Sequence, residues 1–391
     1  MCRKAHNLYS FLSKFSSKKF KTAIALKYIE LYNRMYLKVW GKIKMFKKSL
    51  SLLLALGLVF SFAGCKKKKP VEVKKNESKI TESSEPVDTS HATNPLTGTF
   101  DLDVSAKDNR PVAVMINNIY QAQKVQTGLS KADIIYETEV EGGITRLMAV
   151  FKDLTKVEKF GTIRSARYPY VDLALGHDAI YVHHGQDPTY CAPHLKDIDH
   201  FTISENNSGQ RIKNGLSSEH TLYGFGPKTW ETLKKTFKRT TVSSDSTWMN
   251  FAKEDKKVTL QGGTANSVTV PFSDSYHTTF KYDAATGLYT RLSGNEVRND
   301  YVTGESTQVK NVFVLLTTIT NYPDGYHRKV DLTGGDGYYI TNGTYTAVRW
   351  SKGSSKNPIT ITDAQGKAIE VSAGKSYVCI ADRTTSQPTM Q

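Results

Sequence analysis

Residues 132–151 read ADIIYETEVEGGITRLMAVF. Two β-rich runs, 132–140 and 144–151, flank Gly142-Gly143; each has strand length, and the glycine pair marks a tight turn. Upstream, 111–117 (PVAVMIN) is a third apolar run, too short for a long helix, and downstream 178–183 (DAIYVH) is a fourth. Between them, 162–175 begins as a strand end and continues as a helix with Val171, Ala174 and Leu175 on one side. Residues 227–239 (PKTWETLKKTFKR) place Trp230, Leu233 and Phe237 at i, i+3 and i+7. Pro227 in the first turn and the cationic end suit a helix with those polarities. Strands alternating with helices predict a layered α/β domain over 100–240.

From 241 the texture changes to Thr, Ser, Gly and Tyr. Strand-length runs lie at 268–272, 280–282, 287–291, 311–320, 337–340, 344–350, 359–362 and 377–381. Asn342-Gly343 separates two of them as a hairpin signal, and 363–366 marks another turn. The predicted fold class is therefore α/β: a layered α/β N-terminal domain followed by a smaller β-rich C-terminal domain, 241–391, with a short tail.

The chain's start reads as an address. Residues 45–65 (MFKKSLSLLLALGLVFSFAGC) run from a short positive region through an apolar stretch to small residues before Cys65. That is the order of a signal peptide, and the stretch falls short of the ~20 apolar residues a spanning helix needs. Ala63-Gly64-Cys65 resembles the lipobox of bacterial lipoproteins, with Phe62 where Leu is usual. The expectation is a lipoprotein signal peptide over 45–64, cleaved so that Cys65 takes the lipid at the outer face of the plasma membrane. Residues 1–44 are expected to be an over-extended gene start; the alternative is a basic amphipathic extension on the membrane. The segment 65–99 is the lipidated Cys65 and a tether of Lys, Glu, Ser and Thr, too poor in apolar groups to offset the entropy of ordering. As a flexible coil it has a span of roughly 30–35 Å.

The net charge of +16 resolves along the same lines. Residues 1–65 carry 13 Lys/Arg and one acid, and the body from Phe100 is nearly neutral, with 33 basic and 31 acidic residues. A phosphate-gripping surface needs charge that survives such mapping, so nucleic acid is excluded as a partner. Cys191 and Cys379 alone remain in the body; a disulfide scaffold would be denser, and either one bridge or two buried thiols fits.

Several segments together resemble one family. VEGGITRLMAVF (140–151), GTIRSARYPYVDLA (161–174), DAIYVHHG (178–185) and SSEHTLY (217–223) resemble the N-terminal domain of the YerB-like lipoproteins of Gram-positive bacteria. DLTGGDGYYITNGTYTAVRWSK (331–352) and DAQGKAIEVSAGKSYVCI (363–380) resemble that family's C-terminal domain. The resemblance spans nearly all of 94–385. Thr162 stands where Pro is usual, and Tyr168-Pro169 inverts a Pro-aromatic order. The family implies a layered α/β first domain and a β-rich second one, and supplies no reaction or catalytic residues.

Candidate chemistry gathers in the first domain. Glu137, Glu139 and Glu141 alternate along a strand and its end, which predicts one shared face. Three like charges there need compensation, and Arg146, Arg164 and Arg167 follow closely, with Asp172. Facing carboxylates and guanidiniums bind zwitterionic or anionic ligands; they also form purely structural networks. His177, His183, His184, His194, His200 and His220 fall within 44 residues, beside Asp187, Asp197, Asp199 and Glu219, but without the tight spacing of a metal motif. Ser165 and Ser218 lack a nucleophile elbow, and Cys191 with His194 is a weak thiol pair. With no P-loop, dinucleotide fingerprint or Ca²⁺ loop, no cofactor and no metal are expected. In the second domain Tyr338, Tyr339, Tyr345, Trp350 and Tyr377 favour core packing over a ligand surface.

The candidate cleft is therefore Glu137, Glu139, Glu141, Arg146, Arg164, Arg167, Asp172, His183, Glu219 and His220. Two functions compete for it. One is a binding or accessory factor engaging an envelope protein or wall polymer. The other is a cell-envelope hydrolase or transferase built on Glu137 or Glu141, the arginines and His183 or His220.

Overall fold

The computed structural model describes residues 89–243 and 247–391. The signal segment, Cys65 and the tether up to residue 88 lie outside the described residues. Packing begins within the last stretch assigned to the tether: Leu96 is buried, and Asn94 Nδ2 donates to Asp133 Oδ1 at 2.8 Å.

The strands that build the main sheet come from both halves of the sequence. In the first half they are β1 (Val112–Asn117), β2 (Ile134–Glu139), β3 (Thr145–Phe151), β4 (Ile180–His183) and β5 (His200–Thr202). The second half first forms a separate antiparallel sheet around β6 (Ser267–Pro271), β7 (His277–Asp283) and β8 (Leu288–Ser293). It then returns to the main sheet with β9 (Asn311–Thr317), β10 (Gly334–Thr341), β11 (Thr344–Ser351) and β12 (Ser376–Asp382). The resulting order is β11-β10-β9-β12-β2-β3-β1-β4-β5, completed to eleven strands by short pieces along β11. The β-rich half thus does more than follow the first domain: β12 lies parallel to β2, with Tyr377 opposite Ile135 and Cys379 opposite Glu137.

Alternation along β2 divides the core. Ile135 faces an apolar cluster shared with Val268 and Phe280 of the second sheet, whereas Ile134 and Tyr136 face Tyr170, Val171 and Ala174. Those three residues belong to α1 (Tyr168–Gly176), which has Pro169 in its first turn and follows a non-helical stretch over 162–167. A second helix, α2 (Gly226–Thr236), buries Trp230 and Leu233 on the second-sheet side. Among the described residues these two helices lie in the first half of the fold, and none is long and apolar enough to cross a membrane.

Two turns answer directly to sequence. Gly142 and Gly143 both have positive φ, 68° and 69°, which lets β2 fold straight back into β3. Asn342 and Gly343, at 51° and 77°, make the hairpin between β10 and β11. Tyr339, Trp350 and Tyr377 are core residues, and Tyr338 and Tyr345 meet edge-on at 6.0 Å, half-buried. Cys191 and Cys379 are buried free thiols; burial pushes Cys191 up to about 12.

Candidate functional site

β9, β12, β2, β1, β4 and β5 all run in one direction, with β3 antiparallel among them. Their carboxyl ends therefore open on one edge of the sheet, where α/β folds commonly place ligands. Asn117 ends β1 there and Asn118 follows it, Glu139 ends β2 with Val140 and Glu141 after it, and His183 ends β4 with His184 after it. The predicted cleft residues are spread along this edge, in separate groups.

The tightest group centres on Glu141. The regular strand ends at Glu139, and Val140 N donates to Ile144 O at 2.8 Å to close the turn. Glu141 therefore opens a 3₁₀ turn and leaves the strand's alternation. Arg167, at the N-terminus of α1, grips it with both prongs, Nε to Oε2 at 2.7 Å and Nη2 to Oε1. Arg146 Nη2 adds a bond to Oε1 at 3.1 Å, while its Nη1 donates to Ser165 O at 2.6 Å. Burial alone raises the Glu141 carboxyl, but the Arg167 hydrogen bonds and the two guanidinium charges outweigh it and hold it at about 2. Arg146 is 3% exposed, and burial together with the charge of Arg167 brings it down to about 10.

Glu137 belongs elsewhere. It is 1% exposed and accepts from Asn118 Nδ2 (3.0 Å), Thr145 Oγ1 (2.7 Å), Thr278 Oγ1 (2.8 Å) and the Tyr377 hydroxyl (2.6 Å). Buried Arg291, on β8, donates to Asn118 Oδ1 at 3.1 Å and lies over the Tyr377 ring. This network joins the two sheets. Glu139 pairs with Arg328 at 2.9 Å; burial raises its carboxyl and the guanidinium opposes that. The three glutamates predicted to share one charged face thus have three separate partner sets.

Arg164 pairs with Glu219 at 2.9 Å, which lowers the Glu219 carboxyl. His220 is buried, with Nδ1 2.8 Å from Asn117 Nδ2 and Nε2 3.4 Å from Glu219 Oε1. His183 is buried with Nδ1 on Gly185 O (2.8 Å) and Nε2 on His200 Nδ1 (3.0 Å); burial brings it down to about 4. Neither histidine is bonded to Glu137 or Glu141, the carboxyls that the hydrolase or transferase alternative would use with them. Asp172 sits on α1, 3.4 Å from His194, and burial raises it. Among the described residues no group of three or more His, Cys, Asp or Glu side chains is placed to hold a metal ion.

Sequence reasoning missed the residues that complete the edge. Ile319–Asn321 and Arg328–Val330 form a small hairpin from the β-rich half. It carries Tyr322, His327 and Arg328 to a crevice shared with Glu139, Glu141, Arg167 and Tyr190. Tyr190 and Tyr322 stack with ring centroids 3.8 Å apart and planes 15° off parallel, both half-buried. Asp187 organises the loop beneath them by accepting from Tyr190 N (2.5 Å) and Cys191 N (2.7 Å), and it lies 3.5 Å from His327.

Residues 96–243 match the model described as "Protein of unknown function (DUF3048) N-terminal domain", and residues 268–378 match the corresponding C-terminal domain. The chain belongs to the DUF3048 family. It is distantly homologous to "Putative lipoprotein YerB" of Bacillus subtilis (strain 168), with 29% identity over 299 residues, covering 73% of this chain and 85% of that one. The crystal structure of the YerB protein from Bacillus subtilis is similar at a TM-score of 0.65 and 26% identity, over 76% of this chain and 99% of that one. The stacked tyrosines bring the two DUF3048 domains together: Tyr190 lies in the N-terminal match and Tyr322 in the C-terminal one.

Proposed function

We propose that this chain is a lipid-anchored binding factor of the cell envelope, tethered through Cys65 to the outer face of the plasma membrane and engaging wall polymer at the Tyr190–Tyr322 crevice. The address is supported by the Ala-Gly-Cys junction after an apolar stretch, and by homology to a protein called a lipoprotein. The binding reading is carried by one observation. A half-buried pair of stacked aromatic rings, built from both domains, lies at the carboxyl edge between the Glu139–Arg328 and Glu141–Arg167 pairs. Aromatic surface beside fixed charges suits saccharide rings bearing charged substituents.

The test uses the full-length chain in co-sedimentation with purified insoluble wall. Tyr190→Ala/Tyr322→Ala is expected to lose at least about tenfold in affinity, or ~1.4 kcal/mol, while still unfolding in one cooperative transition. Wild-type protein that stays in the supernatant, or a double variant that sediments equally well, rejects the wall ligand; recovery of one envelope protein instead would point to a protein partner. Cys65→Ser should move the protein from membrane to medium, and intact mass of the membrane form should show residues 1–64 gone and an acyl group added.

A further inference from the structure

A second hollow, about 510 Å³, also borders Tyr168. Its walls come from α1, the strand ends after β9 and the turn after β11, so it too joins the two domains. Four charged side chains line it: Lys329 and Asp331 are exposed, Asp172 is half-buried and Lys352 is buried.

Lys352 is 4% exposed, unusual for a lysine. Its Nζ donates to Ser354 O at 2.8 Å and Ser355 O at 2.5 Å. An ammonium has three N–H donors, so one is left. Asp172 projects from α1, and its Oδ1 is buried without a hydrogen bond of good geometry; His194 Nδ1 stands 3.4 Å away. Each of the two groups feels the other's charge. Yet among the described residues no ion pair within 4.0 Å joins them. The lysine is held by carbonyls and the aspartate by its helix, with open volume beside both.

Each group keeps an unused bonding position. Lys352 is buried and Asp172 half-buried, so both lose solvation, and close contact with opposite charge recovers part of it. A ligand carrying both signs recovers it at both ends. We propose that this hollow binds a small zwitterion of the α-amino-acid class, its carboxylate taken by Lys352 and its ammonium by Asp172. Thr318 and Ser355 on the wall supply hydroxyls for the remaining polar atoms. Burial brings Lys352 down to about 8 and raises Asp172. A ligand that closes both pairs would draw each back toward its charged form. The inference goes beyond the wall-polymer reading: Tyr168 borders both crevices, but the charged groups differ.

Isothermal titration calorimetry on the full-length chain at neutral pH tests it, with glycine and both enantiomers of alanine as zwitterions and acetate and ethylammonium as half-probes. At least one zwitterion should bind saturably, and both half-probes at least about tenfold more weakly. Lys352→Met and Asp172→Asn should each weaken that binding at least about tenfold, whereas Lys281→Ala on the separate antiparallel sheet should leave it unchanged. Should Lys352→Met not fold, the nearly isosteric Asp172→Asn decides. The proposal is overturned by absence of saturable binding from every zwitterion, by acetate binding as tightly as glycine, or by an Asp172→Asn chain that binds as well as wild type. Because the wall assay reads different residues, either result can fail without the other.

Discussion

Glu137 and Glu141 stand four residues apart, and the fold treats them in opposite ways. Glu137 points between two sheets, where hydroxyls and an amide from β3, β7, β12 and the loop after β1 converge on it. Glu141 lies past the strand's end, where two guanidiniums hold it beside the narrow Tyr190–Tyr322 crevice. The first carboxyl connects elements distant in sequence and touches nothing a ligand can reach. The second orients Arg167 and Arg146 at the edge. A buried acidic residue in a strand is therefore poor evidence of a binding site until its partners are known, and here the carboxyl at the turn is the better lead.

Removing Glu137 should cost most. Glu137→Ala takes one acceptor from four donors and leaves Arg291 buried with less compensation, so a loss of roughly 3–5 kcal/mol is expected in urea unfolding. Glu137→Gln should fall between the two, since one amide oxygen remains to accept. A Glu137→Ala loss under about 1 kcal/mol would mean the sheets do not depend on this network. Glu141→Ala should cost less, roughly 1–3 kcal/mol, because Arg167 can turn toward water while Arg146 keeps Ser165 O. Adding Arg146→Met should recover part of that loss, since it removes the cation left unpaired. If the double variant is no better than the single, Arg146 is not the source of the cost.

Much of this fold was legible because its strands are short, β-branched and punctuated. The Gly142-Gly143 and Asn342-Gly343 turns were read correctly from local chemistry alone. The return of β9 and β12 into the first sheet was not read, although a signal existed: NVFVLLT and SYVCIAD are buried at every position, as strands covered on both faces are. Periodicity misled at Glu141, because period 2 holds only while the backbone stays extended. It gave nothing at Tyr322, His327 and Arg328, which follow no pattern; Arg328 reaches Glu139 across 189 residues. Burial likewise decided Lys352, since composition cannot separate one inward lysine from the many on the surface.

Acid titration sharpens the contrast at Glu141. His183 and His177 are both brought down by burial to about 4, so the folded state holds them neutral where the unfolded chain, near 6.5, takes up protons. Their contribution is complete above about 6.5 and is lost as pH falls toward 4. Glu141 is held at about 2 against an ordinary 4.5, so its contribution is complete above 4.5 and is lost as pH falls toward 2. The histidines should thus lower stability first and Glu141 second, with the Asp133 carboxyl, which burial raises to about 6, partly offsetting the histidine stage. Glu141→Ala should flatten the lower stage and leave the upper slope intact, whereas His183→Gln should do the reverse. Urea midpoints measured from pH 7 to pH 2.5 would show this. A Glu141→Ala profile parallel to wild type below pH 4.5 would mean that the arginines do not hold that carboxylate in solution, and the proposed binding role would lose the fixed charges it invokes.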